Sequence, residues 1–423
     1  MTGVFCYNQI MKNKFKIYTL GCKVNQYDSA QLSRLLQIAG FSVADSNSDV
    51  AIVNSCAVTK TAIGKGQRMI NKARKENPKA KIVLMGCWSE IYREKIKHDQ
   101  IDLIWGVGEH QKLVKKISNI FSKNKLLSSR SKTTNFVIND DRSRYFIKIQ
   151  DGCEQFCSYC IIPYTRGKLK SRSEKEILKE IEIAVDAGYR EVVLCGIHLG
   201  LYKIKIKKGL VDLLQKIIKI SKLDRVRLSS IEVTEVDDKL IKLIKTNKKI
   251  CNHLHIPLQS GSDKILKLMN RPYSVGYFAK KIKQIRRLIP NIAITTDVIV
   301  GFPSETKNDF KDTCNFVKDI GFSRLHVFPF SAHEKTPAAE MTGQLDKKTK
   351  LDRARELRKI GVKLKAQYEK GFKNKIHEII IESVIDNKIK GLNQYYFQIE
   401  SKKSKIIEVK EGIGVGKMVK ICF

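Results

Sequence analysis

The sequence predicts an α/β chain in three parts: an N-terminal parallel-sheet α/β domain, a central partial (β/α)6 barrel and a C-terminal small antiparallel β-barrel. Three observations predict it. Short apolar, β-branched runs alternate with helix-period segments near the N-terminus, which implies parallel strands joined by right-handed crossovers. Six more such units follow in the middle of the chain. After Lys373 the helical period gives way to short alternating runs. A length of 423 residues exceeds one compact core, so two or three domains are expected.

Residues 1–13 read as a short extension, with Met11 as an alternative start. The first domain is placed at 14–122. Phe15–Leu20 runs into Gly21-Cys22, Asp49–Asn54 into Ser55-Cys56, and Lys81–Met85 into Gly86-Cys87. Each run reads as a buried strand that ends in a small residue and then a cysteine. Helical patterns lie between them at Asp28–Ala39 and Ala62–Glu76. Ile101–Gly106 and Gln111–Phe121 add a last strand and helix. In a parallel sheet the C-terminal strand ends share one edge, where ligands bind. Cys22, Cys56 and Cys87 are therefore expected to converge there. Three convergent thiolates suggest an iron–sulfur cluster with one open iron; three unrelated core cysteines are the alternative.

Ser122–Asn139 is rich in Ser, Lys and Asn without period, so 123–142 is read as a linker. The central domain is placed at 143–371. Its strand candidates are Tyr145–Ile149, Glu191–Leu194, Arg225–Leu228, Asn252–Pro257, Ile292–Val300 and Arg324–Phe328. Helical patterns cover Ser173–Ala187, Val211–Ile220, Asp263–Met269, Val275–Leu288 and Thr306–Ile320. Ser173 before Glu174 fits a helix start and Gly188 a helix end. Six β/α units suggest a partial barrel, whose chemistry sits at the C-terminal strand ends. Asp346–Phe372 reads as a charged amphipathic helix. Residues 372–423 form the last domain, with strands at Ile376–Ile381, Tyr395–Glu400, Ile406–Val409 and Met418–Cys422. Small barrels of this kind often bind oligonucleotides; a packing or dimerisation module is the alternative.

Lys and Arg number 80 against 43 Asp and Glu, a formal net charge of +37. Such a balance favours an anionic partner such as nucleic acid, although runs such as Lys203–Lys208 also fit a general lysine bias. No apolar run approaches the ~20 residues that span a bilayer. The N-terminus lacks a signal-peptide pattern, so a cytoplasmic location is expected. Eleven cysteines in such a chain point to metal or redox use over a disulfide framework. Nothing resembles a nucleophile–base triad.

The first central strand runs directly into Gln150-Asp151-Gly152-Cys153-Glu154-Gln155-Phe156-Cys157-Ser158-Tyr159-Cys160. Three cysteines at CxxxCxxC spacing can wrap one face of an iron–sulfur cube, each thiolate taking one iron. With no fourth cysteine nearby, one iron stays open to a ligand. A zinc loop is the alternative, but zinc usually takes four closed ligands, and no second CxxC or His pair follows at a matching interval.

CxxxCxxC with an aromatic before its last cysteine resembles the radical S-adenosylmethionine (SAM) superfamily. That resemblance implies that Cys153, Cys157 and Cys160 hold a [4Fe–4S] cluster, that the open iron chelates SAM, and that one electron from an external donor cleaves SAM to a 5′-deoxyadenosyl radical. Tyr159 would then pack near the adenine. Nearly the whole chain resembles the methylthiotransferases, which join a three-cysteine N-terminal domain, a radical SAM barrel and a C-terminal TRAM β-barrel. Thr19–Tyr27, Ile149–Cys153, Gly196–Gly200 and His253–Ser262 resemble the branch that modifies N6-threonylcarbamoyladenosine at position 37 of tRNA. The implied activity is insertion of a methylthio group at C2 of that base, with two [4Fe–4S] clusters and two SAM molecules. The Cys22/Cys56/Cys87 cluster would carry the sulfur, and both open irons would face one cavity. The alternatives are methylthiolation of N6-isopentenyladenosine or of a ribosomal protein, and a non-catalytic iron–sulfur RNA-binding or electron-transfer protein.

The partners implied are the anticodon stem-loop of tRNA and an external electron donor, with no membrane, and the chain acting as a monomer. The anticodon loop is single-stranded, so its base can be splayed into a pocket. Arg166, Lys168, Lys170 and Arg172, just after the cysteine loop, are candidate phosphate contacts. Gly196, Gln259 and Gly301 end later strands and are candidate SAM contacts, with turn or packing roles as the alternative. His98, His110 and His255 read as surface or core residues, and Cys6, Cys195, Cys251, Cys314 and Cys422 as structural. Two stretches depart from the family pattern. Ser304 stands where Gly-Phe-Pro-Gly-Glu-Thr has its second glycine, and the loop around His333 lacks an expected arginine. The last domain is also slightly short.

Overall fold

The computed structural model describes residues 13–96, 99–121, 142–205 and 208–423. They fall into two compact units, one up to residue 121 and one from residue 142 onward. The extension at 1–12, Cys6, His98 and all but the last residue of the expected linker lie outside the described residues.

The first unit is a five-stranded, wholly parallel sheet. Its strands are β1 (Lys14–Thr19), β2 (Ser42–Val43), β3 (Val50–Ser55), β4 (Lys81–Gly86) and β5 (Leu103–Ile104), in the order β2-β1-β3-β4-β5. Every residue of β3 is buried. This is the pattern of a strand covered on both faces, and explains why Val50–Val53 are a continuous apolar run. Helices Lys23–Ile38 and His110–Phe121 supply Leu32, Leu36, Leu113 and Ile117 to a core with Phe15, Ile52 and Val83. Helix Lys60–Glu76 starts at Thr59, whose Oγ1 accepts from Ala62 N at 3.1 Å.

The second unit opens with β6 (Tyr145–Lys148), followed by β7 (Gln150–Asp151), which pairs antiparallel with β8 (Lys170–Ser171). Then come β9 (Glu191–Cys195), the short hairpin β10 (Lys203–Lys205) and β11 (Lys208–Gly209), β12 (Arg225–Leu228), β13 (His253–His255), β14 (Ala293–Val300) and β15 (Arg324–Pro329). The six long-range strands lie in chain order, β6-β9-β12-β13-β14-β15. All neighbours are parallel, and β12 joins the later strands through Val226–Ile250 and Ser230–His255 bridges. Helix Glu174–Asp186 is capped by Ser173 and ends at Gly188, as its sequence predicts. Besides a few helices of five residues or fewer, the sequence reading misses one longer helix. Asp238–Thr246, capped by Asp237, alternates Lys with Leu240, Ile241 and Ile244, so its apolar face is diluted.

A long helix, Lys347–Lys370, leads to β16 (Ile376–Ile385), β17 (Lys388–Asn393), β18 (Gln398–Lys402), β19 (Ile406–Val409) and β20 (Met418–Cys422). These form an antiparallel sheet in the order β18-β17-β16-β20-β19. β17 escapes sequence reading because Ile389 and Leu392 are its only large apolar residues. Among the described residues no helix is long and apolar enough to cross a membrane.

A buried ion cluster fastens this sheet to the strands before it. Glu191 accepts from Arg227 Nε at 2.8 Å and pairs with Arg225 at 2.8 Å. The same guanidiniums donate to the carbonyls of Leu392 at 3.0 Å and Asn393 at 2.9 Å. Burial opposes the charge on Glu191, but Arg227 and Arg225 outweigh it and hold its carboxyl near 2. The pair therefore stabilises fully above the unfolded carboxyl pKa of about 4.3, and loses that contribution as pH falls toward about 2. Arg227→Ala strands a buried carboxylate and is expected to cost about 3 kcal/mol. Chemical denaturation measures this, and an unchanged midpoint would refute it.

The Ser304 departure has a backbone reading. Its φ is +63°, in the left-handed region where glycine is unstrained. Ser304→Gly is expected to gain about 0.5–1 kcal/mol from relieved strain, less what the freer unfolded chain takes back. A fall in melting temperature would contradict this.

Candidate active site

In the first unit β1, β3 and β4 are neighbours, and their ends are level: Thr19 pairs with Asn54, Asn54 with Met85, and Ser55 with Gly86. Cys22, Cys56 and Cys87 follow these ends, so the sheet brings all three to one edge. Gly21 (φ +103°) turns the chain at the first end, and a Cβ there would stand 3.1 Å from the Cys56 sulfur. Gly86 (φ +100°) lies against Ser55, where a Cβ would meet the Ser55 carbonyl at 2.4 Å. Cys22 is exposed at the start of Lys23–Ile38, Cys87 is buried at the start of the short helix Cys87–Ile91, and Cys56 is buried between them.

Polar side chains fix this edge. Asn25 Nδ2 donates to the carbonyls of Leu20 and Ser55, both at 2.9 Å. Asn54 Nδ2 donates to Asn25 O and Ser29 Oγ at 2.9 Å. Asn25, Asn54 and Ser55 are all buried. Buried side chains of this kind need partners, and here they hold the three strand-end turns in one arrangement.

In the second unit β6 runs into the cysteine loop. Gln150, fully buried, donates from Nε2 to the Asp151 and Gly152 carbonyls at 2.7 Å and accepts from His198 N at 2.7 Å. Gly152 (φ +74°) passes so close to Lys168 that a Cβ would meet its carbonyl at 2.0 Å. Ser158 N donates to Met269 O at 3.1 Å and Ser158 Oγ to Leu268 O at 2.7 Å. The loop is thus pinned at both ends.

Two basic side chains approach its sulfurs. Arg271 Nη1 donates to Cys157 Sγ at 3.0 Å, its other arm pairs with Glu232, and its Nε donates to Tyr273 Oη at 3.1 Å. His198 Nδ1 lies 3.4 Å from Cys153 Sγ, and its Nε2 lies 2.5 Å from Glu235. Burial works against a charged His198, but Cys153 and Glu235 outweigh it and raise the ring to about 10. Burial pushes the Cys157 thiol up against the pull of Arg271, and pushes Cys160 up to about 12. A metal must displace those protons to bind there.

Neither cysteine trio brings its three sulfurs within 4.8 Å of one another. One tetrahedral zinc ion, with Zn–S bonds of about 2.3 Å, would gather them to about 3.8 Å. Neither trio is gathered for a single ion as it stands, and three thiol donors with one corner to spare are the set a [4Fe–4S] cube with an open iron would take. Among the described residues the one set that does meet that limit is His255, Asp297 and His326, on the adjacent strands β13, β14 and β15. Asp297 lies 3.2 Å from each ring.

The other candidates divide. Tyr159 is half-buried against Ile265, Met269, Phe302 and Phe330. Gly196 ends β9 against Gln150, and Gln259, with φ +65°, bridges to Val298. Gly301 ends β14, donates to Glu305 at 2.7 Å and lies under the Lys350 stem. Of the four basic loop residues, Lys168 and Lys170 are exposed. Arg166 is buried with Nη1 at 3.0 and 3.1 Å from the Asp151 oxygens, so its charge is directed into the protein. Arg172 binds Lys148 O and Glu180 at 2.9 and 2.7 Å. Both arginines brace the cysteine loop, a role that lysine-rich local sequence does not reveal. His333 is buried, and its carbonyl accepts from Thr336. Cys195, Cys251 and Cys314 are buried, Cys422 is exposed, and His110 begins the helix His110–Phe121.

Two three-stranded parallel sheets bridged in chain order, the first strand delivering a CxxxCxxC loop, are the architecture of a radical SAM enzyme. The comparisons agree. A family described as the Radical SAM superfamily matches residues 147–317, and one described as Uncharacterized protein family UPF0004 matches residues 14–106. The threonylcarbamoyladenosine tRNA methylthiotransferase MtaB of Bacillus subtilis is 35% identical over 96% of this chain and 92% of its own. Its namesake from Thermotoga maritima is 37% identical, over 91% and 90%. A tRNA-2-methylthio-N(6)-dimethylallyladenosine synthase from Thermodesulfovibrio yellowstonii is 33% identical, over 96% and 94%. Among solved structures, the radical SAM methyltransferase TsrM from Kitasatospora setae shares the fold, with a TM-score of 0.57, 14% identity and coverage of 78% and 77%. The chain belongs to the radical SAM methylthiotransferase family: it is an enzyme that transfers sulfur-containing groups and works with [4Fe–4S] and SAM.

Proposed function

We propose that the chain methylthiolates C2 of N6-threonylcarbamoyladenosine at position 37 of tRNA. In this reading Cys153, Cys157 and Cys160 hold the cluster that binds SAM, and Cys22, Cys56 and Cys87 hold a second one. The observation that carries it is the level placement of three cysteines at neighbouring strand ends of the first unit, in a chain that already has a complete CxxxCxxC loop. A radical enzyme with one cluster needs no second trio; a sulfur-inserting one has a use for it.

When bound, the SAM cluster supplies a radical able to attack a C–H bond that acid–base chemistry leaves untouched. This chain's residues hold and shield. Arg271 places positive charge against one of the ligating sulfurs and His198 a ring nitrogen against another, and Tyr159 closes the loop against the apolar cluster behind it. Gly196, Gln259 and Gly301 lie at the strand-end edge where SAM would lie. The six strands act as a partial barrel spanning 143–371, residues 14–122 as the sulfur-carrying domain, and 372–423 as a TRAM-like RNA-binding module. An external donor supplies the electron.

N6-isopentenyladenosine is the second reading, favoured by the 33% identity to the dimethylallyladenosine enzyme. Nucleoside mass spectrometry of tRNA from a strain lacking the gene, with and without a plasmid copy, decides. Loss and return of 2-methylthio-threonylcarbamoyladenosine supports the first reading; loss of the isopentenyl product alone refutes it.

Lys168 and Lys170 are the phosphate contacts in this reading. Each alanine replacement is expected to weaken stem-loop binding and to lower the slope of log K against log salt by about 0.7–0.9. Unchanged slopes in both variants would remove the loop from the interface.

A further inference from the structure

Phe156 lies inside the cysteine loop, yet its side chain faces out. It is 50% exposed and forms an edge-to-face pair, centroids 6.0 Å apart, with Tyr164, itself 42% exposed. Single exposed apolar residues are ordinary, but a pair of large rings held against each other at a catalytic loop is less so. The backbone is also costly. Phe156 has a φ of +48°, where a bulky residue is strained, and its carbonyl is held by Asn270 Nδ2 at 3.1 Å. Wrapping the loop accounts for the turn, since a glycine would make it more cheaply, but it does not account for an aromatic ring presented to solvent there.

Tyr164 sits on the short helix Ile162–Arg166, and the same segment continues to the exposed Lys168 and Lys170. Leu169 N donates to Glu154 at 3.3 Å, tying that segment to the cysteine loop. Two exposed rings thus stand beside two exposed cations at the rim of the cysteine loop. Aromatic faces beside positive charge match single-stranded nucleic acid: the rings stack bases and the cations meet phosphates. A protein partner would have no need of the lysines, and a folded RNA duplex would offer no free base face.

We propose that Phe156 and Tyr164 form a stacking platform for an unpaired nucleobase of the RNA substrate, next to the base that enters the site. The proposal rests on the tRNA reading above and names its contact residues.

The test uses cluster-loaded protein and an anticodon stem-loop carrying 2-aminopurine in the loop, in turn at the positions flanking 37. Quenching and affinity are read for the parent, Phe156→Ala, Phe156→Trp and Tyr164→Ala, with iron and sulfide measured for each. Phe156→Ala is expected to lose the quenching and weaken binding by about ten- to a hundredfold, with iron content retained. Phe156→Trp is expected to restore both. A parent that binds while Phe156→Ala binds and quenches equally well overturns the platform and leaves the tRNA reading standing. Equal loss in the Ala and Trp variants overturns it as well, because size and not stacking would then matter. A parent that binds no stem-loop overturns both.

Discussion

Cys157→Ala is expected to abolish methylthiolated tRNA nucleoside and SAM-dependent formation of 5′-deoxyadenosine, and to remove about four irons per chain. Cys157 is the most constrained of its trio. It is buried, receives Arg271 at 3.0 Å, and stands between Phe156 and Ser158, both of whose backbones are tied to the Leu268–Asn270 segment. Alanine there removes one ligand from a set of three, and no other cysteine is near in sequence to replace it. The loss is therefore expected to be total and not graded. Alanine at Cys314, buried on helix Lys307–Ile320, is the control and should keep full iron. Persistent product in the Cys157 variant would break the assignment of the loop.

Much of this was legible because local pattern and topology agreed. β3 and β4 each carry a continuous apolar run and end in a small residue followed by a cysteine, and the parallel rule alone puts their ends on one edge. The loop cysteines are four and three residues apart, so their proximity needs no tertiary knowledge. The partners of those cysteines were another matter. Arg271 is 114 residues from Cys157, and His198 is 45 from Cys153. His255, Asp297 and His326 meet only because three strands pair in register, and in sequence His255 reads as a surface or core residue. Arg166 and Arg172 show the opposite failure. In a lysine-rich stretch every basic residue resembles a surface charge, and only the position of Asp151 and Glu180 shows that two of the four are directed inward. Distant pairing, and the difference between an exposed and an internally paired charge, belong to tertiary structure, and short-range pattern does not contain them.

Cys56→Ala separates the two trios. Cys56 is central among the three, on the middle strand of the level edge, with Gly21 turned against its sulfur. Its removal is expected to cost the first unit its metal while leaving the CxxxCxxC loop complete. Iron should fall from about eight to about four per chain, as in the Cys157 variant. The chemistry should differ. On the proposed division of roles, 5′-deoxyadenosine still forms from SAM, because the loop in the second unit is intact, but no methylthio nucleoside appears, because the proposed sulfur-carrying site is gone. Asn25 and Asn54 keep the strand ends in place, and alanine is smaller than cysteine, so the fold is expected to survive, with a loss near 1 kcal/mol for the missing buried thiol. A variant that still makes product with four irons would show that the N-terminal cysteines are structural. One that loses 5′-deoxyadenosine too would show that the trios do not act separately. The combination of retained SAM cleavage and absent product is what a division of labour between radical formation and sulfur delivery requires.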